Sequence, residues 1–154
     1  MDMQPNDQQW MKKALQLAQE AAQIGEVPVG AVVVFEDQIV GSGFNRREID
    51  HDPLAHAELL AIQEASRNLG RWRLTGCTLY VTLEPCTMCA GALVNARLDR
   101  LVYGAKDPKA GGIGSLYEIA SDPRLNHRLD ITSGVLENEC SKILKSFFGK
   151  LRIK

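Results

Sequence analysis

Apolar residues at Trp10, Met11, Ala14, Leu15, Ala18, Ala21 and Ala22 recur three and four positions apart. That spacing is one stripe along a helix, and Trp10 and Met11 read as core packing within it. Asn6, with Gln9 three residues on, has the form of a capping box, and Gly25 reads as the stop. The period then changes. Val29 to Phe35 is a nearly continuous apolar run, Glu36, Asp37 and Gln38 form a turn, and Ile39 to Phe44 returns as the second arm of a hairpin. A run apolar on both faces predicts a sheet covered on both sides.

Helical spacing resumes from Ala55 to Leu69, with Leu59, Leu60, Ile62, Ala65 and Leu69 inward and Gly70 as the stop. Cys77 to Leu83 is a third strand. Pro85 is placed as the first residue of a third helix, Cys86 to Ala96. Arg100 to Gly104 is a fourth strand, Asp107 to Ser115 a glycine-rich loop, Leu116 to Ala120 a short helix and Leu129 to Val135 a fifth strand. A last amphipathic helix, from about Leu136, turns Leu144, Phe147 and Phe148 inward. With no repeat, linker or low-complexity tract, residues 1–154 read as a single domain. Strands alternating with helices after an opening hairpin predict an α/β fold, a three-layer α/β/α sandwich around a mixed five-stranded sheet. Its site is expected beyond the strand ends, where helices begin.

Composition adds bounds. A chain of 154 residues is long enough for one good core, and 45% apolar with 24% charged residues is ordinary for a globular protein. A net charge of −1 does not announce nucleic-acid binding. The polar start, Met1 to Asn6, carries no signal peptide, and no apolar run approaches the roughly 18 residues of a membrane span. The expectation is a cytoplasmic protein with no membrane partner. Cys77 in a strand and Cys140 in a helix read as buried core thiols.

The chemistry lies in two short motifs, His56-Ala57-Glu58 and Pro85-Cys86-Thr87-Met88-Cys89, each opening a predicted helix. A helix N-terminus favours thiolate over thiol, and residues at i and i+3 share a face, so Cys86 and Cys89 can grip one ion. Two thiolates and an imidazole suit Zn2+. Three local ligands leave a fourth position for water, the mark of a catalytic rather than a structural site. Bound water then ionises near pH 7, and Glu58, beside His56, can carry its proton. A redox Cys-x-x-Cys pair, or a structural zinc completed by Cys77 or Cys140, are the alternatives. The third helix, with Ala90, Gly91, Ala92 and Ala96 between Leu93 and Val94, lacks a polar face. A second subunit could cover one side of it, or it could be internal.

The pairing of His56-Ala57-Glu58 with Pro85-Cys86-x-x-Cys89 resembles the signature of the cytidine/deoxycytidylate deaminase superfamily. Gly25-Glu26-Val27-Pro28-Val29-Gly30-Ala31, Asn45-Arg46, Asp52-Pro53 and Thr82-Leu83-Glu84-Pro85-Cys86 are similar to the bacterial-type tRNA adenosine deaminases. So are Gly104-Ala105-Lys106-Asp107-Pro108-Lys109, Gly114-Ser115-Leu116 and Asn126-His127, so the likeness runs from about Trp10 to Arg152. The resemblance implies hydrolytic conversion of adenosine to inosine at the wobble position of a tRNA anticodon stem-loop, by a homodimer with one Zn2+ per chain. It implies a zinc-activated water attacking C6, with Glu58 protonating N1 and then the departing ammonia. It also places Asn45, the Leu83 carbonyl and Asp107 on the substrate. Arg46 and Arg47, beside Asn45, are candidates for phosphates. Asn45 could instead simply close a turn. Lys142, Lys145, Lys150, Arg152 and Lys154 either meet RNA or offset the last helix's dipole. The rival readings are a guanine, cytosine or deoxycytidylate deaminase and a structural zinc protein or inactive partner subunit.

Overall fold

The structure, a computed structural model, describes residues 3–153, with side chains through residue 151. Arg152's side chain and Lys154 therefore lie outside the described residues. The element order is α1 (Asp7–Gln23), β1 (Gly30–Phe35), β2 (Gln38–Phe44), α2 (Ala57–Leu69), β3 (Thr78–Leu83), α3 (Thr87–Asn95), β4 (Arg100–Ala105), a 3-10 turn (Ile119–Ser121), β5 (Asp130–Thr132) and α4 (Glu137–Ile153). The five strands lie in the order β2-β1-β3-β4-β5. β1 is antiparallel to β2 and β3, and β4 is parallel to β3 and β5.

The expected sandwich forms because strand residues alternate between two apolar layers. Ala31, Val33, Leu79, Val81, Leu101 and Tyr103 face the cluster built on α2 and α3. Val32, Val34, Tyr80 and Val102 face the cluster that holds Met11 and Ala14 of α1 and Cys140 of α4. Gly41 and Gly43 of β2 let α2 lie directly on the sheet, since a Cβ there would sit 2.2 Å from the Ala61 carbonyl and 2.7 Å from that of Ala57. This close approach sets the depth of the α2 N-terminus.

Several local expectations are corrected. Asn6 precedes α1 without a side-chain cap, so the capping box does not form. The neighbouring Asp7 instead has its carboxylate buried, accepting from Tyr80 Oη at 2.8 Å and from both Arg100 terminal nitrogens at 2.8 and 2.7 Å. Gly25 does stop α1: at φ 83° it allows Gly25 N–H to reach Ala22 O and Glu26 N–H to reach Ala21 O, a Schellman pairing. The hairpin turn is only Glu36 and Asp37, both at positive φ, because Gln38 already pairs with Phe35. Pro85 precedes the cap of α3 rather than starting it; Cys86 is the N-cap. Leu116 and Tyr117 are exposed in a turn, and the short helix is the 3-10 turn beyond them. β5 ends at Thr132, and Gly134 and Leu136 at positive φ turn the chain into α4. Phe148 is 41% exposed rather than inward, while Leu144 and Phe147 are half-buried.

Candidate active site

The N-termini of α2 and α3 meet at the carboxyl end of β3. His56 is the N-cap of α2 and Cys86 the N-cap of α3, both in extended backbone. That geometry sends their side chains back toward one another instead of along the helices. His56 Nδ1 lies 3.7 Å from Cys86 Sγ and 3.5 Å from Cys89 Sγ. The three donor atoms lie within 4.8 Å of one another. Ordinary zinc–sulfur and zinc–nitrogen bonds at a tetrahedral angle place sulfur and nitrogen about 3.6 Å apart, so the residues present fit a zinc ion. Among the described residues this is the only such grouping of His, Cys, Asp and Glu. Cys77 and Cys140 are buried elsewhere and free, as expected of core thiols.

Local electrostatics suit an ion. A hydrogen bond from the Cys89 thiol and another from His56 outweigh burial and pull Cys86 down to about 3. Cys89 moves up, because it supplies that proton and is buried. The bond to Cys86 holds His56 above its usual value against the effect of burial. A bound metal takes both thiols as thiolates.

Glu58 is 4% exposed, in the first turn of α2. Burial pushes its carboxyl up to about 7, against the opposing pull of its own backbone N–H and of His56. A carboxyl poised near neutrality beside the ligand set is suited to both accepting and donating a proton.

His56, Glu58 and Cys86 line a cavity of about 200 Å³, together with Val27, Val29, Asn45, Arg47, Ala57, Leu83, Glu84, Asp107 and Ala110. The volume is below the roughly 300–1,000 Å³ of pockets for drug-sized ligands, and suits a single flat base. Asn45 is buried at its wall: Nδ2 donates to Val27 O at 3.2 Å, and Oδ1 accepts from Arg47 N–H at 3.1 Å. Each end of that amide keeps capacity for a ligand. Arg46 does not line the cavity. Its guanidinium is paired with Asp50 at 3.0 and 3.1 Å and lies over Phe44, whereas Arg47 does line it. Asp107 lines it too, with its carboxylate accepting from the N–H groups of Lys109 and Ala110.

Two buried glutamates went unassigned from sequence. Glu26 accepts from Glu48 N–H at 3.2 Å and Ile49 N–H at 2.7 Å, fixing the loop that carries Arg46 and Arg47. Glu84 accepts from the far loop, residues 107–115. The signal available was a lone carboxylate in each apolar stretch, at Gly25-Glu26-Val27 and Leu83-Glu84-Pro85.

A three-layer fold with a His/Cys/Cys group, a buried glutamate and a base-sized cavity at helix N-termini defines the class of metal-dependent deaminases acting on nucleobases. The chain belongs to the MafB19-like deaminase family, whose model matches residues 5–152. It is 49% identical to the tRNA-specific adenosine deaminase of Bacillus subtilis (strain 168) over 148 residues, 96% of this chain and 92% of that protein. It is 50% identical to the tRNA-specific adenosine deaminase of Haemophilus influenzae over 147 residues, 95% of this chain and 85% of that protein. A solved structure from a study of A-to-I editing by tRNA:A34 deaminases superposes with a TM-score of 0.85 at 45% identity, covering 88% of this chain and 99% of that one. The protein NE0047, solved with 2,6-diaminopurine, superposes with a TM-score of 0.77 at 26% identity, covering 96% of this chain and 84% of that one. The resemblance to bacterial-type tRNA adenosine deaminases is thus borne out, as is the fold.

Proposed function

We propose that the chain hydrolyses adenosine to inosine at the wobble position of a tRNA anticodon, in the cytoplasm, as a homodimer holding one zinc ion per chain. The observation that carries the chemistry is the His56, Cys86, Cys89 grouping with Glu58 buried beside it at the end of a base-sized cavity. The substrate comes from the relatives, which are named tRNA-specific adenosine deaminases at 45–50% identity. Zinc, when bound, lowers the pKa of its water to about 7.

Glu58 takes a proton from the attacking water and delivers it to N1 of adenine, then passes one to the leaving amine. The bond from C6 to the exocyclic nitrogen breaks, ammonia departs and the oxygen stays on C6, so water and adenosine balance inosine and ammonia. The Leu83 carbonyl, at the end of β3, accepts from the exocyclic amino group. Asn45 uses its spare amide capacity on the base. Arg47 meets flanking phosphates; Arg46 joins it only by leaving Asp50. Asp107 shapes the wall through the turn its carboxylate holds. No helix among the described residues is long and apolar enough to cross a membrane, which is compatible with the proposed location.

The test is a side-by-side assay at two salt concentrations. An anticodon stem-loop should gain inosine, because a base already splayed from a single-stranded loop needs little unstacking. Its turnover should fall steeply as salt rises and phosphate contacts weaken. Free adenosine, cytidine and guanine should be poor substrates. Rapid, salt-insensitive turnover of guanine or cytosine with no inosine in RNA would overturn the substrate and leave the metal chemistry standing.

A further inference from the structure

We propose that Glu84 is a positioning residue, whose buried carboxylate fixes residues 107–115 against the start of α3 and so sets the substrate-facing wall formed by Asp107 and Ala110. The inference rests on the reading of this cavity as the adenosine site.

Glu84 is 2% exposed. Oε1 accepts from Asp107 N–H at 3.0 Å and from the Ser115 hydroxyl. Oε2 accepts from the N–H groups of Ile113, Gly114 and Ser115 at 3.2, 3.0 and 3.0 Å. One carboxylate therefore pins both ends of the segment. A buried carboxylate is costly without partners, and these partners are backbone dipoles and a hydroxyl. The backbone repeats the registration: Gly112 N–H donates to Pro85 O at 2.8 Å, and Gly111 forms a bridge with Cys86. Gly111 is needed for this approach, because a Cβ there would lie 2.4 Å from the Glu84 carboxyl carbon.

The placement ties function to this contact. Glu84 stands between Leu83 and the ligand Cys86 in sequence, and all three line the cavity with Asp107 and Ala110. The proposed metal ligands also have support apart from this segment: Cys86, though bridged to Gly111, caps α3 with its carbonyl accepting from Ala90 N–H at 2.8 Å. His56 and Cys89 stand on helices anchored by the fully buried Ala57, Ala61, Ala90 and Leu93. Loosening Glu84 thus frees the wall while leaving the ligand set in place. An interaction made equally with substrate and transition state appears in KM and not in kcat.

Glu84→Gln keeps the shape but turns an amide NH2 toward backbone donors. Ser115→Ala removes only the hydroxyl contact and keeps the test decisive should Glu84→Gln not fold. Zinc per chain, hydrogen exchange of the 113–115 amides, and KM and kcat on an anticodon stem-loop RNA are measured for both. Expected for Glu84→Gln are unchanged zinc, lost protection at Gly114 and Ser115, and a KM raised about tenfold with kcat nearly constant. Ser115→Ala should shift KM the same way by less. Lost zinc, unchanged exchange, or a fall in kcat at constant KM would overturn the proposal. Exchange is read without substrate, so a wild-type protein inert on RNA with the expected exchange pattern would count against the adenosine reading and not against the clamp.

Discussion

Cys86 and Cys89 reach the proposed ligand set by different routes. Cys89 is wholly buried in the first turn of α3, while Cys86 is a half-exposed N-cap whose carbonyl accepts from Ala90 N–H and whose backbone also bridges to Gly111. Truncating Cys86 therefore costs the core little and removes one of three ligands. Cys86→Ala should retain its fold by circular dichroism but contain far less than one zinc per chain after dialysis. Full zinc content in that variant would mean that other residues hold the ion. His56 and Glu58 show why a His-x-Glu pair works here although residues two apart usually diverge on a helix. The extended backbone of His56 puts it just outside α2, so both side chains reach the same cavity.

Among the elements, α1 is tied to β3, β4 and β5 by polar contacts as well as by packing. The Asp7 carboxylate takes the Arg100 guanidinium and the Tyr80 hydroxyl, and Arg100 also donates to Thr132 at 2.8 Å. Burial alone would raise the Asp7 carboxyl, but Arg100, the Gln4 N–H and Tyr80 hold it below its ordinary 3.8. A depressed folded-state value means that this stabilisation is complete above 3.8 and is lost as pH falls through the lower folded value. Asp7→Asn should lower stability at pH 7 by about 3–5 kcal/mol, since it leaves Arg100 buried without its counter-charge. In urea titrations the gap between variant and wild type should narrow on acidification below about pH 4. A gap that is small at pH 7, or that stays constant into acid, would contradict this account. Nothing near Asp7 in sequence announces the partner, which is 93 residues away. The same physics separates the legible from the illegible throughout. The stripe of α1 and the apolar runs of β1 and β3 have local periods, and they form where expected. The ligand motifs are local as well. Glu26 and Glu84 are satisfied by loops 22 to 31 residues distant, so the lone carboxylate that each shows in an apolar stretch does not name its partners. The short β5 and the turn at Leu116 depend on backbone conformations at Gly134 and Leu136 and on what the sheet leaves uncovered.

At the scale of the whole molecule, one helix face is underused. Met88, Gly91 and Ala92 lie at helical spacing on α3 and are each only half-buried, and a Cβ on Gly91 would meet nothing within 4 Å. Their opposite neighbours, Ala90, Leu93 and Val94, are in the core. The proposed second copy, packed on this small apolar strip, would account for a helix without a clear polar side. Light scattering at micromolar concentration should therefore give twice the chain mass, and a monomer mass would count against the proposed dimer. The basic stretch of α4 has Lys142, Lys145 and Lys150 exposed. Of these only Lys150 stands in the last turn of α4, where a cation also suits the dipole, so the salt response of turnover tests whether the stretch binds RNA.

The proposed deamination of adenosine runs through Glu58 at a zinc centre of three protein ligands. It is tested most directly by inosine formation in an anticodon stem-loop RNA, comparing zinc-loaded wild-type protein with zinc-loaded Glu58→Ala. The wild type should convert the wobble adenosine. Glu58→Ala should hold the same one zinc per chain yet turn over slower by about 10²–10⁴-fold, the scale of a lost acid–base group. Near-normal inosine formation by a zinc-replete Glu58→Ala would contradict it.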